Sequence, residues 1–128
     1  MSDDAQRTVE AFLAEVLNGA RPESIEALVA HRGLRQKVAV LRAAFPDLSV
    51  TSQVLVTDGS SVAVHLAARG TQQGIFQGVP STGQAWAASC TAIYRVQDGR
   101  IVEDWETWDL LGILEQIGGV RRAAAASA

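Results

Sequence analysis

Tyr94-Arg95-Val96-Gln97-Asp98-Gly99-Arg100-Ile101-Val102-Glu103-Asp104-Trp105-Glu106-Thr107-Trp108-Asp109-Leu110-Leu111-Gly112 reads as a strand, a two-residue turn, a second strand and a short closing helix. Asp98-Gly99 is the hairpin signal, because a type I′ turn needs positive φ at both central residues and Asp-Gly accepts it cheaply. Side chains of a strand alternate between its faces. Ile101, Glu103, Trp105, Thr107 and Asp109 therefore fall on one face, and Val102, Asp104, Glu106 and Trp108 on the other. Either face sets carboxylates beside tryptophan, a pattern that a purely structural strand does not need. The chemistry is expected here; the alternatives are that the carboxylates are solvated on an outer face, or that Asp109 serves only to cap the helix starting at Leu110.

Upstream, the chain changes period. Val9, Phe12, Leu13, Val16 and Leu17 recur at helical spacing and stop at Asn18-Gly19. A second helix is expected from Pro22, with Ile25, Leu28 and Val29 inward. A third carries Leu34, Val38 and Leu41 inward and ends at Phe45-Pro46-Asp47. From Leu48 the period falls to two: Leu48, Val50, Val54 and Val56 mark one strand, and Val62, Val64, Leu66 and Ala68 the next, with the turn at Asp58-Gly59. The segment from Gly70 to Gly83 is too rich in glycine for a central strand and reads as an excursion at the sheet's rim. Trp86–Val96 is the strand that pairs with the last one. Helices followed by antiparallel hairpins give an α+β fold, a curved antiparallel sheet wrapped around helices. Such a sheet commonly leaves a cavity against its helices.

With 128 residues, 48% of them hydrophobic and 20% charged, the chain suits one ordinary globular domain, set at 1–119 with a tail at 120–128. The tail, Val120 onward, has no apolar period and reads as a solvated or frayed helical extension. A net charge of -3 argues against nucleic acid or an anionic membrane as partner. A lone cysteine, Cys90, fits a reducing compartment, and the N-terminus lacks a signal peptide's basic and apolar regions, so a cytoplasmic location is expected. Two distant histidines and one cysteine offer no metal-ligand spacing. His65, an acid–base candidate by type, reads rather as a satisfied surface or interface histidine; His31, in a breaker between helices, is a weaker candidate still, and Cys90 reads as a small core residue.

Three stretches carry a family resemblance: Ala68-Arg69-Gly70-Thr71-Gln72-Gln73-Gly74-Ile75-Phe76-Gln77-Gly78-Val79-Pro80-Ser81-Thr82-Gly83, Tyr94 to Trp105, and Trp108-Asp109-Leu110-Leu111-Gly112 to Gly118. Together with Phe45-Pro46-Asp47-Leu48 they resemble the SnoaL-like polyketide cyclases of the nuclear-transport-factor-2-like superfamily. The resemblance implies a cone-shaped α+β barrel around a deep apolar pocket. It implies ring closure of a polyketide or polycyclic carbonyl compound by intramolecular aldol condensation, without metal or organic cofactor. Asp109 inherits the acid–base role, with Glu103 as a possible second acid–base. Trp105, Gln72, Phe76, Phe12, Trp86 and Tyr94 are the expected substrate-binding residues. A small polyketide-like ligand and further copies of the chain, in a dimer or tetramer, are the expected partners, the copies meeting through the outer sheet face at Leu55, Ile93 and Trp108.

Two positions depart from the family pattern. Gln72 stands where a histidine is usual, and an amide cannot titrate. The segment between the second and third helices is cut to Ala30-His31-Arg32-Gly33, which implies a mouth that is open or closed by a partner chain. These departures keep two other readings in view: a small-molecule binding module without catalysis, and a SnoaL-like hydroxylase or isomerase.

Overall fold

A computed structural model describes residues 2–121 and 123. Helix α1 (Ser2–Ala11) runs directly into a π-helical turn (Phe12–Leu17), and a 3-10 turn (Pro22–Ser24) leads into the short α2 (Ile25–Leu28). Helix α3 (Arg32–Ala44) is followed by strands β1 (Ser49–Asp58), β2 (Ser61–Thr71), β3 (Ala85–Gln97) and β4 (Arg100–Trp108), and by α4 (Leu110–Gln116). The four strands form one antiparallel sheet in sequence order, β1-β2-β3-β4. This is the expected α+β architecture. Residues 120, 121 and 123 carry no helix, and the rest of the expected helical tail lies outside the described residues.

The inner face of the sheet and the helices share one core. Val62, Val64 and Leu66 of β2 and Cys90, Ala92, Tyr94 and Val96 of β3 point inward at period two. Helix α1 and its π turn lay Val9, Phe12, Leu13, Val16 and Leu17 on them, as the helical spacing requires. The π turn ends at Asn18, whose side chain bonds both backbone groups of Val50: Nδ2 donates to the carbonyl at 3.0 Å and Oδ1 accepts from the amide at 2.6 Å. One asparagine thus closes a helix end onto a strand start.

The hairpin at Asp98-Gly99 has positive φ at both residues, 52° and 73°, as a type I′ turn demands. At the first hairpin Asp58 pairs with Ser61, so the central residues are Gly59 and Ser60 rather than Asp58 and Gly59.

One irregularity sets up the site. Val96 pairs with Ile101, but Arg95 pairs with Glu103, so Val102 is a β-bulge. The extra residue reverses the parity of the rest of β4. Ile101 is inside, and so are Asp104, Glu106 and Trp108; Glu103, Trp105 and Thr107 face outward.

Candidate active site

Helix α3 presents Gly33, Gln36, Lys37, Val40 and Leu41, which share one helical face, to a cavity of about 460 Å³. Phe76 and Gln77 of the glycine-rich excursion, Glu106 and Trp108 of β4, and Leu110 and Ile113 of α4 complete the wall. The volume suits a small polycyclic ligand. Most of the wall is apolar; the polar end is Lys37 and Glu106.

Behind that end lies a connected cluster. The Asp104 and Glu106 side chains are 1% and 3% exposed, and both contact the Lys37 ammonium, Glu106 Oε1 at 3.5 Å and Asp104 Oδ2 closer still. Tyr94 donates from its hydroxyl to Glu106 Oε2 at 2.7 Å. Its ring is fixed by edge-on contact with Phe12, centroids 5.5 Å apart. His31 Nδ1 lies 3.0 Å from Asp104 Oδ1. A carboxylate out of water is tolerated only when paired and hydrogen-bonded, and this cluster supplies both.

The environment sorts the titrating groups. Burial alone pulls the Lys37 amine down, but its hydrogen bond to Asp104 and the charges of Glu106 and Asp104 outweigh that, leaving its pKa above the usual 10.5. Lys37 is therefore a fixed cation at neutral pH. Burial, then the Glu106 charge, pushes Tyr94 well above its usual 10, so its hydroxyl keeps its proton. The same two causes push Cys90 up to about 12, which leaves an inert thiol. Among the described residues, no group of three or more His, Cys, Asp or Glu has the arrangement of a metal site.

The structure corrects several expected placements. Asp109 is exposed and caps α4, accepting from the Gly112 amide at 3.0 Å, and it does not line the cavity. The dihedral demands of a strand-to-helix junction put it there. Glu103 faces outward and pairs with Arg95. Trp105 is 54% exposed on the same outer side. The Val102 bulge is the cause in both cases. Leu55 and Trp108, expected on the outer face, point inward and pack against the core.

Of the other expected binding residues, Phe76 lines the cavity, while Tyr94 and Phe12 stand one layer behind it. Trp86 packs on Phe45, centroids 4.8 Å apart, and borders a separate shallow depression with Asp47 and Gln116. His65 sits on the outer face against Thr91 Oγ1 at 2.8 Å.

Gln72 is fully buried and does not line the cavity. Its Nε2 donates to the carbonyls of Gly74 at 3.1 Å and Val79 at 2.8 Å. Its Oε1 accepts from the Thr82 amide and hydroxyl at 3.2 and 2.8 Å. The side chain thus staples the excursion that carries Phe76. Gln72→Ala is expected to cost about 3 kcal/mol, since a fully buried side chain gives up four hydrogen bonds and the Gly74 carbonyl loses its donor. Urea unfolding measures it, and a cost below about 1 kcal/mol would mean the staple is redundant.

Lys37 escaped the sequence reading. Its signal was slight: the one lysine of the sequence, at helical spacing with Gly33, Gln36, Val40 and Leu41 on the flank of the apolar stripe.

Comparison with known proteins agrees with the fold. TsrD from Streptomyces laurentii superposes with a TM-score of 0.80 at 25% identity, over 94% of this chain and 98% of that one. IdmH from Streptomyces antibioticus, provisionally assigned as a polyketide cyclase, gives 0.74 at 28% identity, over 89% and 98%. AclR from Streptomyces galilaeus, provisionally assigned as a hydroxylase, gives 0.81 at 20% identity, over 97% and 87%, a likeness of fold alone. Among curated proteins, none matches the sequence. The family profile of the SnoaL-like polyketide cyclases matches residues 2–117, nearly the whole chain. This chain therefore belongs to the SnoaL-like polyketide cyclase family.

Proposed function

We propose that the protein is a cofactor-independent enzyme that moves a proton α to a carbonyl in a polycyclic or polyketide-like ketone, and so closes a ring by aldol addition. The observation that carries this reading is the pairing of a cavity-wall carboxylate, Glu106, with a permanent cation, Lys37, at the polar end of an apolar cavity. Glu106 takes the α-proton as the C–H bond breaks, and the Lys37 ammonium stabilises the enolate oxygen. The enolate carbon then forms the new C–C bond at the second carbonyl, and the resulting alkoxide takes the proton back from Glu106. The apolar wall of Val40, Phe76, Trp108 and Ile113 holds the chain folded for attack. Lys37 is held protonated, so it serves as a charge rather than as a Schiff-base nucleophile.

The test uses deuterium wash-in at the carbon α to the carbonyl of α-tetralone, a bicyclic ketone that the cavity volume accommodates. Wild-type protein is expected to accelerate the exchange beyond buffer. Equal rates with and without protein would rule out this use of Glu106.

The protein is also proposed to act as a homodimer. Val56, Ala63, Ile93 and Trp105 form one continuous row across the outer face of all four strands. Val56, Ile93 and Trp105 in that row are exposed, and Val54 lies one row along. A second copy stacked face to face covers the row with itself, the self-complementary arrangement a two-fold interface requires. Trp105→Glu is expected to shift sedimentation from dimer to monomer; a wild type that is monomeric at micromolar concentration would refute the pairing.

A further inference from the structure

We infer that Tyr94 is the positioning residue of the site: its hydroxyl pins one oxygen of Glu106 and leaves the other, Oε1, to move the proton. This rests on the acid–base reading of Glu106. The sheet register supplies the arrangement. Ala92 of β3 stands opposite Glu106 of β4, and Tyr94 stands opposite Asp104, all four on the inner face. The small side chain opposite Glu106 leaves the tyrosine ring room to lean along the sheet. Its hydroxyl donates to Glu106 Oε2 at 2.7 Å, one step along from the residue it is paired with.

The two oxygens of Glu106 are therefore unlike. Oε2 accepts from Tyr94, whereas Oε1 is buried, has no hydrogen-bond partner among the described residues and lies 3.5 Å from the Lys37 ammonium. Oε1 thus has the free lone pair, and it sits beside the charge that stabilises the enolate. Tyr94 itself is wholly buried, and its ring is held edge-on to Phe12 with centroids 5.5 Å apart. Burial and then the Glu106 charge keep the phenol protonated, so it stays a donor. It does not line the cavity, and it reaches a ligand only through Glu106.

The α-proton goes to Oε1 and returns from Oε1 to the alkoxide, while the Tyr94 proton stays in place. Oε2 accepts from Tyr94 whether or not Oε1 is protonated, so the carboxyl group does not turn between the two transfers. The groups facing Glu106 are Lys37 from α3, Asp104 on its own strand, and Tyr94 and Cys90 from β3. Lys37 is shared with Asp104, and the Cys90 thiol keeps its proton, so neither fixes the rotation of the Glu106 carboxyl. The Tyr94 hydrogen bond does.

Tyr94 is the only tyrosine of the chain, so its phenol can be altered alone. In wash-in into α-tetralone, Tyr94→Phe is expected to lower kcat roughly tenfold with KM unchanged, because the residue orients Glu106 without touching the ketone. The acid limb of the rate moves to higher pH, since the lost hydrogen bond favoured the charged carboxylate. Full-chain protein grown on 3-fluorotyrosine carries a stronger donor at the same place, and its acid limb is expected to move to lower pH. Lost packing does not produce two opposite shifts. An acid limb unmoved in both proteins overturns the role, and so does a KM that rises while kcat holds, which would make Tyr94 a ligand contact. Fluorine NMR of the 3-fluorotyrosine protein without ketone reads the contact directly. The signal is expected to titrate with Glu106 and to lose that titration in Glu106→Gln; the same titration in both overturns the hydrogen bond. Wild type without catalysed exchange, but with the fluorine titration present, overturns the acid–base reading and the positioning role with it, leaving only the hydrogen bond.

Discussion

Glu106→Gln is expected to lower deuterium wash-in by roughly 10²- to 10⁴-fold, the usual worth of a positioned general base. The substitution keeps the shape of the side chain. Its amide oxygen still accepts from the Tyr94 hydroxyl, which lies 2.7 Å from Glu106 Oε2. Lys37 retains Asp104 as its counter-ion. Two buried carboxylates share one obligate cation, so removing one charge relieves as much repulsion as it forfeits attraction. Stability should therefore stay within about 1 kcal/mol of wild type while the proton transfer fails. Asp109→Asn is the companion variant. Asparagine caps a helix as well as aspartate, and residue 109 faces water at the start of α4. Its wash-in rate should match wild type. A reversed result, with Asp109→Asn slow and Glu106→Gln fast, would return the acid–base role to the helix cap.

The contrast between those two residues shows what was legible in the sequence. Period and turn chemistry are local, and they located the four helices, the four strands and the rim excursion to within a few residues. The hairpin Asp98-Gly99 also fixed a register: without a bulge, inward Tyr94 and Val96 on β3 oppose Glu103 and Ile101 on β4. That register puts Glu103 and Trp105 inside. The bulge at Val102 overrides it, and nothing local distinguishes Val102 from an ordinary strand residue. The choice is made by tertiary partners. Asp104 and Glu106 can be buried because Lys37 and His31 reach them from α3 and its cap, and because Tyr94 on β3 donates to Glu106. Glu103 finds only Arg95, on the side where both remain in water. Gln72 shows the same limit differently. Its type announces that it cannot titrate, but only the fold shows that it is a staple for the loop rather than part of the cavity wall.

The cluster that supports the chemistry also sets an alkaline limit on the fold. Cys90 has an ordinary pKa of 9.0 and is pushed up to about 12 by burial and then by Glu106. In the unfolded chain it loses its proton first, so above pH 9 the unfolded state binds fewer protons than the native state. Stability then falls as pH rises, by about 1.4 kcal/mol per unit for each such group, and by roughly 4 kcal/mol for Cys90 across the window. Tyr94, raised well above 10 by the same causes, adds a second proton of the same sign. Lys37 works in that direction too: its contribution is complete below 10.5 and is lost as pH climbs through its raised folded value. A domain of this size holds only about 5–15 kcal/mol in total. Urea midpoints should therefore be level near neutral pH and fall steeply above 9, with unfolding before about pH 12. Cys90→Ala should start lower, having lost packing, but fall less steeply by one proton. A midpoint that stays level to pH 12 would mean that the thiol and the phenol are not sealed beside Glu106, and that the cavity's polar end is open to water.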